Sequence, residues 1–117
     1  MKIVIRAIIQ LHDKIIRKSG GHAGMINVGN LDFTVAQANY VGNLTKKLAT
    51  LLFGIVARHP FVDGNKRTAL VVVEAILRTA GKRLTAGEKD LWVLLNKISI
   101  GEMNVKQIAE WLSKNIA

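Results

Sequence analysis

The sequence predicts an all-α fold, a compact bundle of about five to six helices around one central buried helix. Apolar residues recur with a helical period along almost the whole chain, and no alternating strand pattern competes with it. One proline and six aromatic residues (two Trp, one Tyr, three Phe) are a poor supply for an all-β sandwich. The length of 117 residues favours a single domain, spanning 1–117, with one sizeable core.

The first predicted helix is marked by apolar residues at three- and four-residue spacing from Ile5 to Ile16, with His12 on the same stripe. Gly20-Gly21 ends it. The following segment, 20–42, is rich in glycine and asparagine, so we expect a long loop with at most a short helix over Phe33–Asn39. Long loops in small domains tend to carry function.

The rest of the chain is predicted to be helical, and both tryptophans fall on apolar stripes that favour a place in the core. Pro60 keeps the residue before it out of the α region, which ends one of these helices. The helix after Pro60 is apolar nearly all round and is therefore expected to be central. The predicted helices are Thr45–Arg58, Gly64–Ala80, Glu88–Ile100 and a last helix capped by Asn104 with Gln107.

The charge of the chain favours an anionic partner. Seventeen basic against eight acidic residues give a net charge of +9, which suits nucleic acid, a phosphorylated ligand, an acidic protein or a membrane surface. The absence of cysteine excludes disulfides, thiolate catalysis and cysteine metal sites. No uninterrupted apolar run is longer than Ala69–Val73, which is far too short to span a membrane, so we expect a soluble cytoplasmic protein.

The most informative stretch, 59–68, reads HPFVDGNKRT and lies between two strongly apolar helices. The start of the second helix offers unpaired N–H groups and a partial positive charge, which is a suitable place for a phosphate. Gly64 allows close approach to the backbone, Asn65 can donate from its amide, and Lys66 and Arg67 add two cations within one turn. Cations are unfavourable at a helix N-terminus, which hints at a bound anion.

Two further residues in this stretch suggest chemistry. Asp63 is a hard ligand that could hold Mg²⁺ against phosphates. Histidine is the side chain that most readily exchanges a proton at neutral pH, so His59 is a candidate general base for a hydroxyl nucleophile. Taken singly, Asp63 could be only a helix N-cap and His59 only a residue at a helix end. Phe61 is expected to anchor the loop in the core.

Residues 59–67 resemble the signature of the Fic/Doc family, H-x-F-x-[DE]-G-N-x-R, and the continuation to Leu70 is similar to the Doc (death-on-curing) branch. The resemblance extends to Leu11-His12-Asp13 and to the glycines that follow. It implies a helical nucleotide-dependent toxin that modifies proteins and is paired with an antitoxin. On this basis His59, Asp63, Lys66 and Arg67 would be catalytic, and Asp63 would hold Mg²⁺. Gly64, Asn65, Lys66 and Arg67 would bind the phosphates of ATP.

Two departures from the family pattern bear on the reaction. Adenylylating Fic enzymes resemble H-x-F-x-[DE]-G-N-G-R-x-x-R. This chain has Lys66 in place of the second glycine of that pattern and Leu70 in place of its second arginine. The resemblance then implies a reversed nucleotide with its γ-phosphate towards the target, and therefore phosphorylation of a Ser or Thr hydroxyl. For the Doc branch the implied target is a translation elongation factor, so that translation stops. Adenylylation (AMPylation) is the alternative.

The inhibitory helix motif of many Fic proteins, [ST]-x-x-x-E-[GN], does not occur in these 117 residues. We therefore expect inhibition in trans, by a separate antitoxin whose acidic segment suits the positive charge. A homo-oligomer is the other assembly that we consider.

Two other readings compete. The chain could be a basic helical nucleic-acid-binding module, although its cations are scattered and no stripe of aromatic residues accompanies them. Its phosphate contacts would then be Lys2, Arg6, Lys14, Arg17, Lys18, Lys46, Lys47, Lys82 and Arg83. A metal site built from His12, His22 and His59 is a weaker alternative, because their spacing fits no ligand pattern.

Overall fold

The all-α prediction is confirmed by a computed structural model, which describes residues 2–117. The only β-type pairings within these residues are two isolated bridges, Met25 with Phe61 and Leu84 with Ile116. The radius of gyration is 13.0 Å, as expected for a compact chain of this length. The helices are α1 (Ile5–Ser19), α2 (Val28–Tyr40), α3 (Leu44–Leu52), α4 (Asn65–Thr79), α5 (Glu88–Ser99) and α6 (Val105–Ser113).

Helix α1 follows the predicted stripe. Ile8, His12 and Ile16 are its buried residues, one turn apart, and Gly20 ends the helix with a φ of 80°. Arg17 and Lys18 lie in the last turn, where the helix dipole favours positive charge. The stripe packs α1 against α4, so that His12 lies close to the start of α4.

The expectation of a long loop over 20–42 was wrong for its second half. Helix α2 takes up Val28–Tyr40, with Leu31, Val35 and Ala38 among its buried residues. Its first turn is stabilised by Asn27, whose side chain accepts a hydrogen bond from the main-chain N–H of Asn30. The asparagines that suggested a loop therefore include a helix cap, and the irregular chain is shorter than the composition indicated.

Helix α3 does not continue as α-helix to Arg58, as we expected. It changes at Phe53 into a π-helical turn, Phe53–Ala57, which ends just before residues 58–64, the signature loop. Gly54 in this turn packs so closely on Thr34 of α2 that a Cβ at position 54 would overlap the threonine side chain. Such turns are rare and frequently occur at functional sites.

Helix α4 is the predicted central helix, and it packs against α1, α3 and the π-helical turn. Helices α5 and α6 also agree with the prediction, and α6 begins with the expected capping box of Asn104 and Gln107. Ile116 lies beyond α6 and pairs with Leu84 rather than extending the helix face. No helix in the described part of the chain is long and apolar enough to cross a membrane.

Candidate active site

The loop 58–64 joins the π-helical turn to α4 and brings His59 to the surface. Pro60 prevents the residue before it from continuing a helix, and His59 adopts a φ of 46° in the left-handed region. It is the only non-glycine residue with a positive φ among residues 2–117. Such a conformation is strained for a residue with a Cβ, and strained residues are often found at functional sites.

The backbone of residues 24–27 supports the loop from one side. The carbonyl of Pro60 accepts hydrogen bonds from the N–H groups of Ile26 and Asn27, at 2.8 and 3.1 Å. The N–H of Val62 donates to the carbonyl of Gly24 at 3.1 Å. Residues 24–27, which lie in the irregular part of the segment predicted as a loop, therefore form a short strap paired with the signature loop.

Asn65 fixes the loop from the other side. Its side-chain oxygen accepts from the N–H of Phe61, and its Nδ2 donates to the carbonyl of Phe61, both at 3.0 Å. Phe61 is fully buried, as expected for an anchor. The amide of Asn65 was predicted to donate to a phosphate, and only the second hydrogen on Nδ2 is left for that contact.

Asp63 presents an ionised carboxylate beside the start of α4. Its Oδ2 accepts from the N–H of His22 at 3.2 Å, and its Oδ1 accepts from the N–H of Gly64 at 2.8 Å. These hydrogen bonds, together with the positive charge of Arg67, lower the pKa of the Asp63 carboxyl below its usual range. The carboxylate leaves no room for a side chain at Gly21, where a Cβ would lie 2.7 Å from Oδ2.

The N-terminus of α4 is open to a ligand. The N-cap is Gly64, with a φ of 77°, and no side chain from the described residues caps the helix. Asp63 is therefore not the N-cap, the ordinary role that its position also allowed. Uncapped N–H groups and the helix dipole favour an anion at this end of α4.

A single pocket of about 290 Å³ lies over this helix end. All six residues predicted for the site line it, together with Val62 and Trp92: they are His59, Asp63, Gly64, Asn65, Lys66 and Arg67. The structure thus places a histidine, a carboxylate, two cations and a helix N-terminus around one volume.

Helix α5 contributes a wall that the sequence did not predict. Trp92 packs partly against the core, as expected, but it also lines the pocket. One turn further on, the side-chain oxygen of Asn96 accepts a hydrogen bond from the Nζ of Lys66 at 2.7 Å. Residues four apart share a helix face, but nothing in the sequence indicates that this face meets the start of α4.

His12 is the other residue of the site that sequence reasoning missed. It is almost fully buried, and its Nε2 lies 2.7 Å from the main-chain carbonyl oxygen of Asp63. Its ring stacks on that of Phe61 with the centroids 3.8 Å apart and the planes 7° from parallel. The apolar stripe of α1 predicted the burial of His12 but not its contact with a loop 51 residues away.

The site suits Mg²⁺ held through phosphates rather than a metal held by protein alone. Asp63 is a partly exposed carboxylate in the pocket, and Mg²⁺ commonly uses one or two carboxylates with water and phosphate oxygens. Across residues 2–117 no three His, Cys, Asp or Glu side chains come together as a metal site. The alternative triad of His12, His22 and His59 is therefore not assembled.

The structure also weakens the nucleic-acid alternative. Lys47, one of the cations assigned to phosphate contacts, is only 8% exposed. Its Nζ donates to the carbonyl of Ala38 at 2.7 Å, near the end of α2. Lys47 therefore stabilises the end of a helix and is not free to contact a polyanion.

Two comparisons with known proteins agree with this geometry. The sequence model of the Fic/DOC family matches residues 2–77, a range that contains α1, the strap and the whole signature loop. The chain is also 31% identical over 113 residues to the protein named Protein kinase doc, from Escherichia phage P1. That match covers 92% of this chain and 89% of the relative. The chain therefore belongs to the Fic/DOC family, and within it to the Doc branch.

Proposed function

We propose that this protein is the toxin of a toxin–antitoxin pair, a Mg²⁺- and ATP-dependent kinase that phosphorylates a Ser or Thr hydroxyl of a protein. The observation that carries the proposal is the shared pocket of His59, Asp63 and the uncapped start of α4. A base, a metal ligand and an anion cradle are what phosphoryl transfer requires of a protein. The name of the phage relative, a protein kinase, supports the same reaction class.

In this reaction the imidazole of His59 accepts the proton of the target hydroxyl. The hydroxyl oxygen bonds to the γ-phosphorus as the bond to the β–γ bridging oxygen breaks, and ADP leaves with that oxygen. Gly64 and the first turn of α4 hold the phosphates, and Arg67 adds a guanidinium that can bind two phosphate oxygens at once. Mg²⁺, held on Asp63, would neutralise charge on the phosphates.

Two side chains favour phosphorylation over adenylylation. Leu70 occupies the place of the second arginine of adenylylating relatives, and it faces an apolar gap lined by α3, α4, α5 and α6. A guanidinium for the far end of a nucleotide bound in the adenylylating orientation is thus missing there. Lys66 fills the position of a small residue, and its hydrogen bond to Asn96 holds its side chain along one wall of the pocket.

We further propose that the target is a translation elongation factor and that the inhibitor is a separate antitoxin with an acidic segment. Both follow from the resemblance to the Doc branch, and the net charge of +9 supports the second. Addition of the cognate antitoxin should abolish transfer in a purified system. Unchanged activity in the mixture would contradict inhibition in trans.

The reaction is tested by adding the protein to a translation extract with ATP labelled at either the γ- or the α-phosphate. The proposal expects γ-label on a protein of elongation-factor size and none from the α position, and the His59→Ala variant serves as the inactive control. Label from the α position would establish adenylylation instead. Labelling that persists in the His59→Ala variant would refute the assigned base.

A further inference from the structure

We propose that His12 is a positioning residue that sets the orientation of the Asp63–Gly64 peptide and thereby aims the phosphate and metal groups of the pocket. The inference rests on the proposed function for the identity of the ligand. The geometry is independent of that function, because it is fixed by a partly buried hydrogen bond between α1 and the signature loop.

The hydrogen bond between His12 and Asp63 has a defined direction. A carbonyl oxygen can only accept, so Nε2 of His12 carries the hydrogen and donates it to Asp63 at 2.7 Å. The other ring nitrogen, Nδ1, lies 3.7 Å from the carboxylate of Asp13, which is too long for a hydrogen bond. Within residues 2–117, the one hydrogen bond of this buried ring is therefore the bond to the loop backbone.

The ring itself is held in place by packing. It stacks on Phe61, and both backbone groups of Phe61 are bound by Asn65. The ring also lies against Gly64, where a Cβ would be 3.7 Å from Nε2. His12 therefore reaches the loop as a rigid donor whose position is set by α1 on one side and by the loop anchor on the other.

The peptide that His12 holds is one that could otherwise rotate. Gly64 has a φ of 77°, and a flip of the peptide before it would change this angle by about 180°, into a region that glycine accepts equally well. Local sterics at Gly64 therefore do not choose between the two orientations. The hydrogen bond from His12 favours the one in which the carbonyl points towards α1.

The orientation matters because the two ends of a trans peptide point in opposite directions. With the carbonyl of Asp63 directed at His12, the N–H of Gly64 points away from α1 and donates to the Asp63 carboxylate. A flipped peptide would remove that donor and turn a carbonyl oxygen towards the anion pocket. Both changes weaken binding of Mg²⁺ and phosphate.

The test compares two variants of nearly equal shape, His12→Gln and His12→Met. Both lose the stacked ring, but only glutamine keeps an N–H donor near the position of Nε2. Binding of Mg²⁺–ATP to each folded protein is measured by calorimetry, with circular dichroism and thermal unfolding as checks of the fold. We expect His12→Gln to bind within about threefold of the wild type and His12→Met to bind about 10- to 100-fold more weakly, the usual effect of losing a supporting hydrogen bond behind a ligand.

Equal affinity in the two variants, whether unchanged or equally reduced, would overturn the proposal, because the donor would then make no difference. A purely structural role would lower the unfolding temperature of both variants without separating their affinities. If the wild type bound no nucleotide, the proposed function would fail. Crystal structures of the variants would then decide the inference, which requires a flipped 63–64 peptide in His12→Met and the original orientation in His12→Gln.

Discussion

The connection from α3 to α4 and the connection from α4 to α5 solve the same geometric problem with different residues. Each leaves a helix through a residue with positive φ. In the second connection this residue is Gly81, with a φ of 69°, for which the left-handed region carries no steric penalty. In the first it is His59, with a φ of 46°, although glycine would be less strained. A strained histidine is expected where its side chain has a chemical role.

The two connections are also held differently. The second is fixed by main-chain hydrogen bonds, from Lys82 to Leu77, from Arg83 to Ala117 and from Thr85 to Asn115. The first also has main-chain hydrogen bonds, to the strap, but the side chains of Asn30, Asn65 and His12 additionally bind the backbone of Arg58, Phe61 and Asp63. A connection that only links helices needs hydrogen-bond partners for its backbone N–H and C=O groups. A connection that presents a site also needs its peptide groups held in a particular orientation.

The largest expected effect follows from removing the strained histidine. His59→Ala should lower transfer by a factor of about 10²–10⁴, the usual contribution of a general base. Helix content and unfolding temperature should stay close to those of the wild type, because the His59 side chain is exposed. Steady-state assays and circular dichroism check both outcomes. Full activity would show that the strain serves another purpose.

The next effect separates two adjacent glycines that share a positive φ. Gly21→Ala places a methyl group against the Asp63 carboxylate, whereas at Gly20 a Cβ meets nothing within 4 Å. We expect the first variant to weaken Mg²⁺-dependent activity about 10- to 100-fold, as displacement of a metal ligand commonly does. Gly20→Ala carries comparable backbone strain without the clash and serves as the matched control. Similar loss in both would mean that only backbone strain matters.

Asn65 and Asn104 both bind main-chain groups, Asn65 in the signature loop and Asn104 at the start of α6, so their substitutions compare the two regions. Asn65→Ala leaves both backbone groups of buried Phe61 without partners and should cost about 1–3 kcal/mol of unfolding free energy, together with weaker nucleotide binding. Asn104→Ala breaks the capping box of α6 and should cost about 1 kcal/mol with nucleotide binding unchanged. Chemical denaturation and calorimetry give the two quantities. A binding defect in Asn104→Ala would contradict the separation.

A pair of smaller changes exchanges the residue types of the two connections. His59→Gly relieves the left-handed strain and should therefore raise the unfolding free energy by about 0.5–1 kcal/mol. It also removes the general base, so transfer should fall as in His59→Ala. Gly81→Ala should lower the unfolding free energy by about 1 kcal/mol with transfer unaffected. Denaturant titrations measure both. A stability loss in His59→Gly would mean that its side chain stabilises the fold.

The smallest effect concerns acid stability. Since the folded-state pKa of Asp63 is lowered, its stabilising contribution is complete above the pKa of about 3.9 for an unfolded aspartate, and it is lost as pH falls through the folded-state value. The stability difference between wild type and Asp63→Asn should therefore shrink as the pH falls below about 4. Urea denaturation at several pH values measures it. An advantage of the wild type that grows on acidification would contradict the assigned pKa direction.

The sequence was sufficient wherever neighbours along the chain are also neighbours in space. His59 to Arg67 surround one pocket because a tight loop and the first turn of a helix keep contiguous residues together. The same locality made the stripe of α1, the cap of α6 and the central helix predictable. The sequence-based prediction failed for α2, where a composition typical of a loop concealed a helix cap and four buried side chains.

The supporting groups of the pocket came only from packing between distant segments. His12, Trp92 and Asn96 lie on helices whose apolar patterns require that one face is buried. These patterns do not specify which element packs against that face. A hydrophobic stripe requires that one face of the helix is buried. Because burial of apolar area has no directional preference, the stripe does not specify which element covers that face. The choice of partner depends on how α1, α4 and α5 fit together, and so do the contact of His12 with Asp63 and the place of Trp92 in the pocket lining.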